Sequence, residues 1–316
     1  MSGSTMRCVL VSKSLDLRGY LGPQFMRAAD RIEIISHPHE GPVTDIRLAV
    51  AWHPPDDSFE RYPNLQAVCS IGAGVDNILA CPSLRPDVDV IRVVDPAQAQ
   101  MMSGFVAWHV IGHQRRFATY QAQQRKERWR RLGLRRAQDV PVGILGFGEI
   151  GRRVATDLAL LGFPVMAWSR TAKPTPQGVR GFSGAAGLDA MLGQTEVLVN
   201  LLPLTPETKG ILNRNTFARM YRGGYLIQVG RGEHLVEADL LAALENGQLA
   251  GASLDVFSPE PLAPRHPFWR HPNIVVTPHD ACEVSVEAIG ATFRATAEAI
   301  RAGRRPPHSI DRERGY

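Results

Sequence analysis

The fold is decided by residues 140–151, which read VPVGILGFGEIG. The run 140–145 has the length and the apolar, β-branched character of a buried strand. It leads into the pattern G-x-G-x-x-G, and the residues up to 161 then follow as a helix that Gly162 ends. A glycine-rich turn between a strand and a helix is the arrangement that cradles a dinucleotide.

Each glycine of this turn has a physical reason. The first permits the tight turn, the second lets the backbone approach a pyrophosphate, and the third lets the helix pack on the strand, while the helix N-terminus faces the phosphates. The sequence therefore predicts a cofactor site formed by Gly146, Phe147, Gly148, Glu149, Ile150 and Gly151.

Further strand candidates follow along the chain. They lie at residues 164–168, 197–202, 225–229, 252–256 and 274–277. Helix candidates such as 151–161 and 238–246 lie between them, so strand and helix alternate. This alternation predicts a parallel, doubly wound α/β sheet.

The first third of the chain alternates in the same way on a smaller scale. Its short apolar runs lie at residues 6–11, 32–35, 48–52, 65–71 and 88–94. Read as strands, they predict a second, smaller α/β unit.

One long helix is predicted to link the two units. Residues 103–124 contain no Gly-Pro punctuation apart from Gly112. The length of 316 residues also exceeds the usual size of a single core, which favours two domains.

The residues after the second strand of the larger unit predict the choice of cofactor. An NAD enzyme usually places an acidic residue there against the ribose 2′-hydroxyl, but residues 168–173 read WSRTAK. Ser169, Arg170 and Lys173 suit a 2′-phosphate, because they offer charge-assisted hydrogen bonds. We therefore expect NADPH to be preferred, with NADH possible. The alternative is that Arg170 and Lys173 are ordinary solvated residues.

Three polar residues that follow predicted strands are candidates for catalysis. Arg231, Glu260 and His279 each lie just past a strand, and ligands of open parallel sheets bind outside the carboxyl ends of the strands. Reduction of a 2-oxo acid needs a cation that binds the carboxylate and polarises the ketone, and an acid that protonates the alkoxide. Arg231 and His279 can provide these, and Glu260 can raise the pKa of His279. Taken singly, each residue is equally well read as a surface group or a structural cap.

A second glycine-rich turn lies in the smaller unit. Residues 69–76 read CSIGAGVD directly after a predicted strand. Such a turn can present successive backbone N–H groups as a nest for a carboxylate, and a plain turn is the alternative.

Composition excludes several classes of protein. A content of 44% hydrophobic and 21% charged residues is ordinary for a folded enzyme and wrong for a disordered chain. No run approaches about 18 apolar residues, and the N-terminus lacks the order of a signal peptide, so we expect a cytoplasmic protein without a membrane partner. No CxxC spacing predicts a disulfide framework or a zinc site among Cys8, Cys69, Cys81 and Cys282.

The net charge of +5 is concentrated in one segment. Residues 115–136 hold nine Arg or Lys residues against Glu127 alone, a local charge of +8 that leaves −3 for the rest of the chain. A lone basic run is more typical of a solvated helix end or an oligomer rim than of a nucleic-acid surface, so we expect no nucleic-acid partner. His109 and His113 are spaced like a zinc pair, but without a third ligand we interpret them as core or interface histidines and expect no metal.

Several ordered motifs together resemble the D-isomer-specific 2-hydroxyacid dehydrogenase family across nearly the whole chain. They are GAGVD at 72–76, the glycine turn at 146–151, LLPLT at 201–205, GRG at 230–232, LDVF at 254–257 with Glu260-Pro261, and TPH at 277–279. Within the family, the stretches GFP at 162–164 and WSR at 168–170 are similar to the bacterial glyoxylate/hydroxypyruvate reductases that use NADPH.

The resemblance implies an architecture. It implies a Rossmann nucleotide-binding domain at residues 103–282 and a flavodoxin-like substrate-binding domain made of residues 1–102 and 283–316. The C-terminal helix would return to the first domain. Members of the family are commonly homodimers joined through the nucleotide-binding domains, which is the assembly we expect.

The resemblance also implies residue roles. Arg231, Glu260 and His279 correspond to the catalytic set, and Arg231 and His279 also bind substrate. Ala73 and Gly74 correspond to backbone contacts of the substrate carboxylate. Cofactor contacts are further implied for Leu202, Pro203 and Asp255.

Departures from the family pattern leave the substrate open. Gly230 stands where the family often has Ala, and Asp280 and Glu283 put acids after His279 where related enzymes are more apolar. We predict a glyoxylate or hydroxypyruvate type of substrate, and the alternative is a bulkier 2-oxo acid such as phenylpyruvate. A nucleotide-sensing corepressor that resembles these dehydrogenases, or an oligomer with a vestigial site, is a further hypothesis.

Overall fold

A computed structural model describes residues 6–28, 32–38 and 41–315. The first five residues, where the expectation about a signal peptide begins, and Tyr316 lie outside the described residues. The chain divides into two compact units, Met1–Ala97 with Glu283–Tyr316 (the smaller unit) and Gln98–Cys282 (the larger unit).

The smaller unit is built on a five-stranded sheet. Its strands are Met6–Ser12 (β1), Ile32–Ser36 (β2), Ile46–Trp52 (β3), Ala67–Ser70 (β4) and Asp89–Ile91 (β5), and its first helices are Leu17–Ala28 (α1) and Asp76–Leu79 (α2). The strands lie in the order β2-β1-β3-β4-β5, and each neighbouring pair is parallel.

The larger unit contains a seven-stranded sheet. Its strands are Val142–Leu145 (β6), Val165–Ser169 (β7), Val179–Ser183 (β8), Val197–Asn200 (β9), Gly224–Gln228 (β10), Leu249–Leu254 (β11) and Ile274–Val276 (β12). The helices up to β12 are Pro96–Gln114 (α3), Phe117–Gln124 (α4), Glu149–Leu160 (α5), Gly184–Leu192 (α6), Arg214–Arg219 (α7) and Glu237–Glu245 (α8). The strand order is β12-β11-β10-β9-β6-β7-β8, again parallel throughout. The predicted fold class of two parallel α/β domains is thereby confirmed.

Both faces of each sheet are covered by apolar residues. In β1, Cys8 and Leu10 belong to one buried cluster, whereas Val9 and Val11 belong to another. Successive side chains of a strand point to opposite faces, so alternation between two clusters means that both faces are buried. This explains why inner strands such as β6 are continuous apolar runs rather than alternating ones.

The linking helix differs from its prediction at both ends. It begins at Pro96, where proline favours the first helical position and Asp95 Oδ1 accepts a hydrogen bond from the Ala97 N–H (2.8 Å). It ends at Gln114, because Arg116 adopts a left-handed conformation (φ 55°) before α4 begins. The single helix predicted at 103–124 is therefore wrong. Nothing in the sequence marks the break, since arginine is a good helix former.

The C-terminal helix packs in the smaller unit. It spans Val286–Arg301 (α9), and the Ser285 side chain caps it by accepting a hydrogen bond from the Ala288 N–H. Its Phe293 ring lies 5.1 Å from that of Phe25 in α1. Across the described part of the chain, no helix combines the length and the apolar character that crossing a membrane requires.

Candidate active site

The glycine turn lies where the strand order of the larger sheet reverses. From β6 the chain proceeds to β7 and β8 on one side and later to β9 on the other, and such a switch point is where α/β sheets bind ligands. Gly146 has a φ of 100°, and a Cβ there would lie 2.6 Å from the Leu201 carbonyl oxygen. A Cβ at Gly151 would collide with the Gly146 carbonyl oxygen, whereas no described atom lies within 4 Å of one at Gly148. The turn is therefore tight at its two ends and open in the middle, as a dinucleotide requires.

The predicted 2′-phosphate segment is tied back to this turn. Lys173 Nζ donates a hydrogen bond to the Phe147 carbonyl (3.0 Å), and Ser169 Oγ donates to the Thr171 carbonyl (2.8 Å). Ser169 is buried, and Arg170 and Lys173 are exposed. Arg152 lies over the Phe147 ring, 4.8 Å from its centroid, and donates to the Pro174 carbonyl. The segment thus follows the glycine turn closely, and its contact with a phosphate stays a prediction.

His279 and Glu260 form a hydrogen-bonded pair. His279 Nδ1 lies 2.8 Å from Glu260 Oε2, and the other carboxylate oxygen accepts from the Phe257 N–H (2.9 Å). The hydrogen bond to Glu260 is the largest cause that raises the pKa of His279, and burial and Arg231 oppose it. Burial alone would raise the pKa of Glu260, but the bonds from His279 and Phe257 bring it below its usual value. The pairing that the sequence suggested is present in the structure.

Asp255 holds the turn that carries His279. Its Oδ1 accepts from Thr277 Oγ1 (2.6 Å) and the Asp280 N–H (2.9 Å), and its Oδ2 accepts from the Ala281 N–H (3.1 Å). The carboxylate is buried and accepts these three bonds from the His279 turn. A contact of Asp255 with the cofactor stays a prediction.

The Arg231 loop passes close to the backbone after β11. A Cβ at Gly232 would collide with the Phe257 carbonyl group, so glycine is required for this approach. The Arg231 guanidinium donates to the Gly230 carbonyl (2.8 Å), and Arg231 acts electrostatically on both Glu260 and His279. The structure therefore brings the three predicted catalytic residues to one edge of the larger sheet.

The predicted carboxylate nest lies at the carboxyl edge of the smaller sheet. Ser70 Oγ accepts from the Gly72 N–H (3.0 Å) and donates to the Gly74 carbonyl (3.0 Å), which closes the turn around Ala73. A Cβ at Gly72 would lie 3.3 Å from the Trp52 ring. Trp52, which no sequence motif marks, is the last residue of the neighbouring strand β3.

The two acids that follow His279 have different environments. Glu283 Oε1 accepts a hydrogen bond from the Tyr20 hydroxyl (3.1 Å), and burial followed by this carboxylate raises the pKa of Tyr20 to about 12. Asp280 is exposed. Glu283 is therefore held within the smaller unit.

The histidines of α3 have partners other than a metal. His109 Nδ1 lies 2.6 Å from Ser253 Oγ, and burial lowers the pKa of His109 to about 4. His113 Nε2 lies 2.8 Å from Glu196 Oε1, and Arg135 binds the same carboxylate. Among the described residues no group of three or more His, Cys, Asp or Glu side chains is arranged to hold a metal.

Comparison with known proteins decides the family. A family model described as D-isomer specific 2-hydroxyacid dehydrogenase, NAD binding domain, matches residues 107–281. The chain belongs to the D-isomer specific 2-hydroxyacid dehydrogenase family. The predicted enzyme class, an NAD(P)-dependent oxidoreductase acting on 2-hydroxy or 2-oxo acids, is thereby confirmed.

Other members of the 2-hydroxyacid dehydrogenase family are similar over most of their length. Glyoxylate/hydroxypyruvate reductase A of Serratia proteamaculans is 43% identical over 273 residues, which span 85% of this chain and 87% of the relative. A D-isomer specific 2-hydroxyacid dehydrogenase from Xanthobacter autotrophicus Py2, solved with NADPH and MES, has a TM-score of 0.93 at 38% identity and covers 99% of this chain and 100% of its own.

A third family member is an NADPH-dependent glyoxylate/hydroxypyruvate reductase from Sinorhizobium meliloti. Its structure in complex with NADP and sulfate has a TM-score of 0.89 at 39% identity, covering 98% of this chain and 100% of its own. These relatives confirm the resemblance that the sequence motifs carry, down to the reductase branch of the family.

Proposed function

We propose that this chain reduces small 2-oxo acids of the glyoxylate and hydroxypyruvate type to 2-hydroxy acids, with NADPH as the cofactor. The observation that carries the proposal is the hydrogen-bonded pair of His279 and Glu260 beside the Arg231 loop, at the edge of the sheet that also carries the glycine turn. The relatives named above include reductases for these substrates.

The larger unit fits a nicotinamide dinucleotide. Gly148 leaves open space before the first turn of α5, and the N-terminus of a helix attracts phosphate. When bound, the reduced nicotinamide supplies the hydride that reduces the substrate carbonyl. Ser169, Arg170 and Lys173 are proposed to hold the 2′-phosphate, since residues 168–173 offer it no repelling carboxylate.

Arg231 is proposed to bind the substrate carboxylate and to polarise the ketone. Its guanidinium is a positively charged, planar fork of hydrogen-bond donors, which suits both tasks. In the smaller unit, the backbone N–H groups of Ala73 and Gly74 are proposed to bind the carboxylate as well.

His279 is proposed to donate the proton that the alkoxide takes up. A general acid must be protonated near neutral pH, and Glu260 favours the imidazolium form. Because Glu260 accepts from Nδ1, the proton for the substrate leaves from Nε2. Glu260 orients the ring and stays ionised, since its own pKa is lowered.

The size of the preferred substrate is tested by experiment. The experiment is a panel of 2-oxo acids with the purified protein, following NADPH absorbance for glyoxylate, hydroxypyruvate and phenylpyruvate, with His279→Ala as the control. Higher kcat/KM for phenylpyruvate would select the alternative substrate class, and NADPH binding without turnover of any acid would select the corepressor or vestigial-site hypothesis.

We also propose a cytoplasmic homodimer. The basic segment exposes four large apolar residues, among them Trp129 (97% exposed) and Leu134 (77%), and α4 has no buried residue, which is unusual for an isolated chain. The free thiols of all four cysteines suit a reducing compartment. Light scattering after size-exclusion chromatography tests the assembly, and a monomer mass would contradict it.

A further inference from the structure

Three buried polar side chains form a connected network in the larger unit. Asn200, Gln228 and His234 are each 0% exposed. Asn200 Nδ2 donates hydrogen bonds to Gln228 Oε1 (2.7 Å) and to His234 Nδ1 (2.9 Å). Buried polar groups are costly unless satisfied, so three of them together at the ends of β9 and β10 and in the turn 232–234 require a reason.

One side of the network holds the backbone of the Arg231 loop. The Arg231 N–H donates to His234 Nδ1 (3.0 Å), and Gln228 Nε2 donates to the Arg231 carbonyl (2.7 Å). The Gly230 N–H donates to Gln228 Oε1 (3.2 Å). The peptide groups on both sides of the Arg231 Cα are thus fixed by side chains that solvent does not reach.

The other side of the network holds the segment after β9. His234 Nε2 lies 3.2 Å from the Pro203 carbonyl oxygen, and the Leu202 N–H donates to Asn200 Oδ1 (3.3 Å). Because Nδ1 of His234 accepts two N–H groups, the ring proton is assigned to Nε2, which donates to Pro203. Leu201, the first residue of this segment, lies against Gly146 of the glycine turn, since a Cβ at Gly146 would be 2.6 Å from the Leu201 carbonyl oxygen.

We infer that His234, with Asn200 and Gln228, is a positioning unit that couples the Arg231 backbone to the segment 201–203 beside the cofactor turn. His234 connects the two loops, since its Nδ1 accepts from the Arg231 N–H and its Nε2 donates to the Pro203 carbonyl. The inference rests on the proposed function for the roles of Arg231 and of Leu202 and Pro203.

The glycine at position 230 agrees with this coupling. A Cβ there would lie 2.8 Å from Asn200 Nδ2 and 2.9 Å from His234 Nδ1, so the network fills the space that the Ala common in the family would need.

Two substitutions of His234 test its contact with Arg231 and its contact with Pro203 separately. In His234→Asn, the amide oxygen can replace the Nδ1 acceptor, but the donor to Pro203 is lost. In His234→Gln, the amide nitrogen can reach the Pro203 carbonyl, but the acceptor for Arg231 is lost. We expect His234→Asn to raise the Kd of NADPH roughly tenfold with little change in the KM of the 2-oxo acid, and His234→Gln to do the reverse.

The readouts are the Kd of NADPH from fluorescence titration without substrate, the steady-state constants for glyoxylate, and the Tm. Ser253→Ala is the matched control, because Ser253 is equally buried and bonds to His109 and Tyr225 rather than to either loop. We expect it to lower the Tm and to leave the Kd and KM as in the wild type.

The inference is overturned if both His234 variants change the Kd and the KM alike, or if neither changes them more than Ser253→Ala does. If the histidine variants do not fold, Asn200→Ala tests the inference instead. It removes the hydrogen bonds to Gln228 and His234 and is expected to raise both the Kd of NADPH and the KM of the 2-oxo acid. Unchanged constants in folded Asn200→Ala overturn the coupling. A wild-type protein that reduces no 2-oxo acid would contradict the proposed function alone, since the Kd of NADPH in the variants would still test the link from His234 to the cofactor turn.

Discussion

The Arg231 loop and the segment 169–173 both follow strands of the larger sheet, but they are held in place by different means. The Arg231 loop is fixed by three fully buried side chains. The segment 169–173 has a buried residue only at Ser169, and the residues from Arg170 to Lys173 are exposed, with Lys173 donating a hydrogen bond to the Phe147 carbonyl. The Arg231 loop is thus positioned by buried side chains, whereas two of the three residues proposed for cofactor choice, Arg170 and Lys173, lie on the surface. Substitutions in the Arg231 loop should therefore strongly reduce activity, whereas substitutions in the segment 169–173 should change which cofactor is preferred.

The largest expected effect is that of Arg231→Ala. It should lower the rate of reduction about 100-fold, equivalent to about 3 kcal/mol, because the lost charged contact is strongest as the alkoxide develops. NADPH titration of the same variant should give a nearly unchanged Kd. Wild-type turnover in this variant would remove Arg231 from the mechanism.

Substitutions in the segment 169–173 should shift the preference between NADPH and NADH. One good arginine contact to the 2′-phosphate contributes about 1.5–3 kcal/mol, so NADPH should be preferred over NADH by roughly 10- to 100-fold. Ser169→Asp should repel NADPH and improve NADH, and Arg170→Ala should raise the KM of NADPH alone. Steady-state kinetics with both cofactors at saturating 2-oxo acid measure this. If Arg170→Ala weakened both cofactors alike, Arg170 would be a solvated residue without a role in the choice.

Gly230→Ala tests whether the Arg231 loop and its buried network tolerate one added methyl group. Its Cβ would enter the space of Asn200 and His234, and overpacking of this kind typically costs about 1–3 kcal/mol. We expect a lower free energy of unfolding and a higher KM for the 2-oxo acid. Gly112→Ala is the matched control, because nothing lies within 4 Å of its Cβ and alanine favours a helix. Equal free energies of unfolding for Gly230→Ala and Gly112→Ala would mean that Asn200 and His234 move aside at little energetic cost.

The smallest effect is expected for Glu260→Gln, which keeps the shape of the site. The hydrogen bond to Glu260 is the main cause of the raised pKa of His279, so its loss lowers that pKa. Reduction needs the protonated histidine and weakens as the pH rises through this pKa. The substitution should therefore move the limb of the pH profile to lower pH, with little effect well below it. An identical profile in a folded variant would argue against the role of the pair.

Much of the fold could be predicted because its signals are local. The glycine turn, the apolar runs and the polar residues after strands each lie within a few residues, and the fold class is confirmed. The break of the linking helix at Arg116 has no local signal, the short strand β8 carries few apolar residues, and helix α6 contains two glycines, which disfavour a helix. The roles of Asn200, Gln228 and His234 depend on contacts between segments 28 to 34 residues apart, which periodicity does not show. A polar residue inside an apolar strand was the one available signal.

His279 has a φ of 57°, a conformation that costs an L-residue roughly 1–2 kcal/mol and that glycine or asparagine adopts more readily. The three bonds to the Asp255 carboxylate keep the turn in this shape. Position 279 is thus a point where heat resistance and activity conflict. A library selected only for survival at high temperature should enrich glycine or asparagine there, and one selected for turnover should keep histidine.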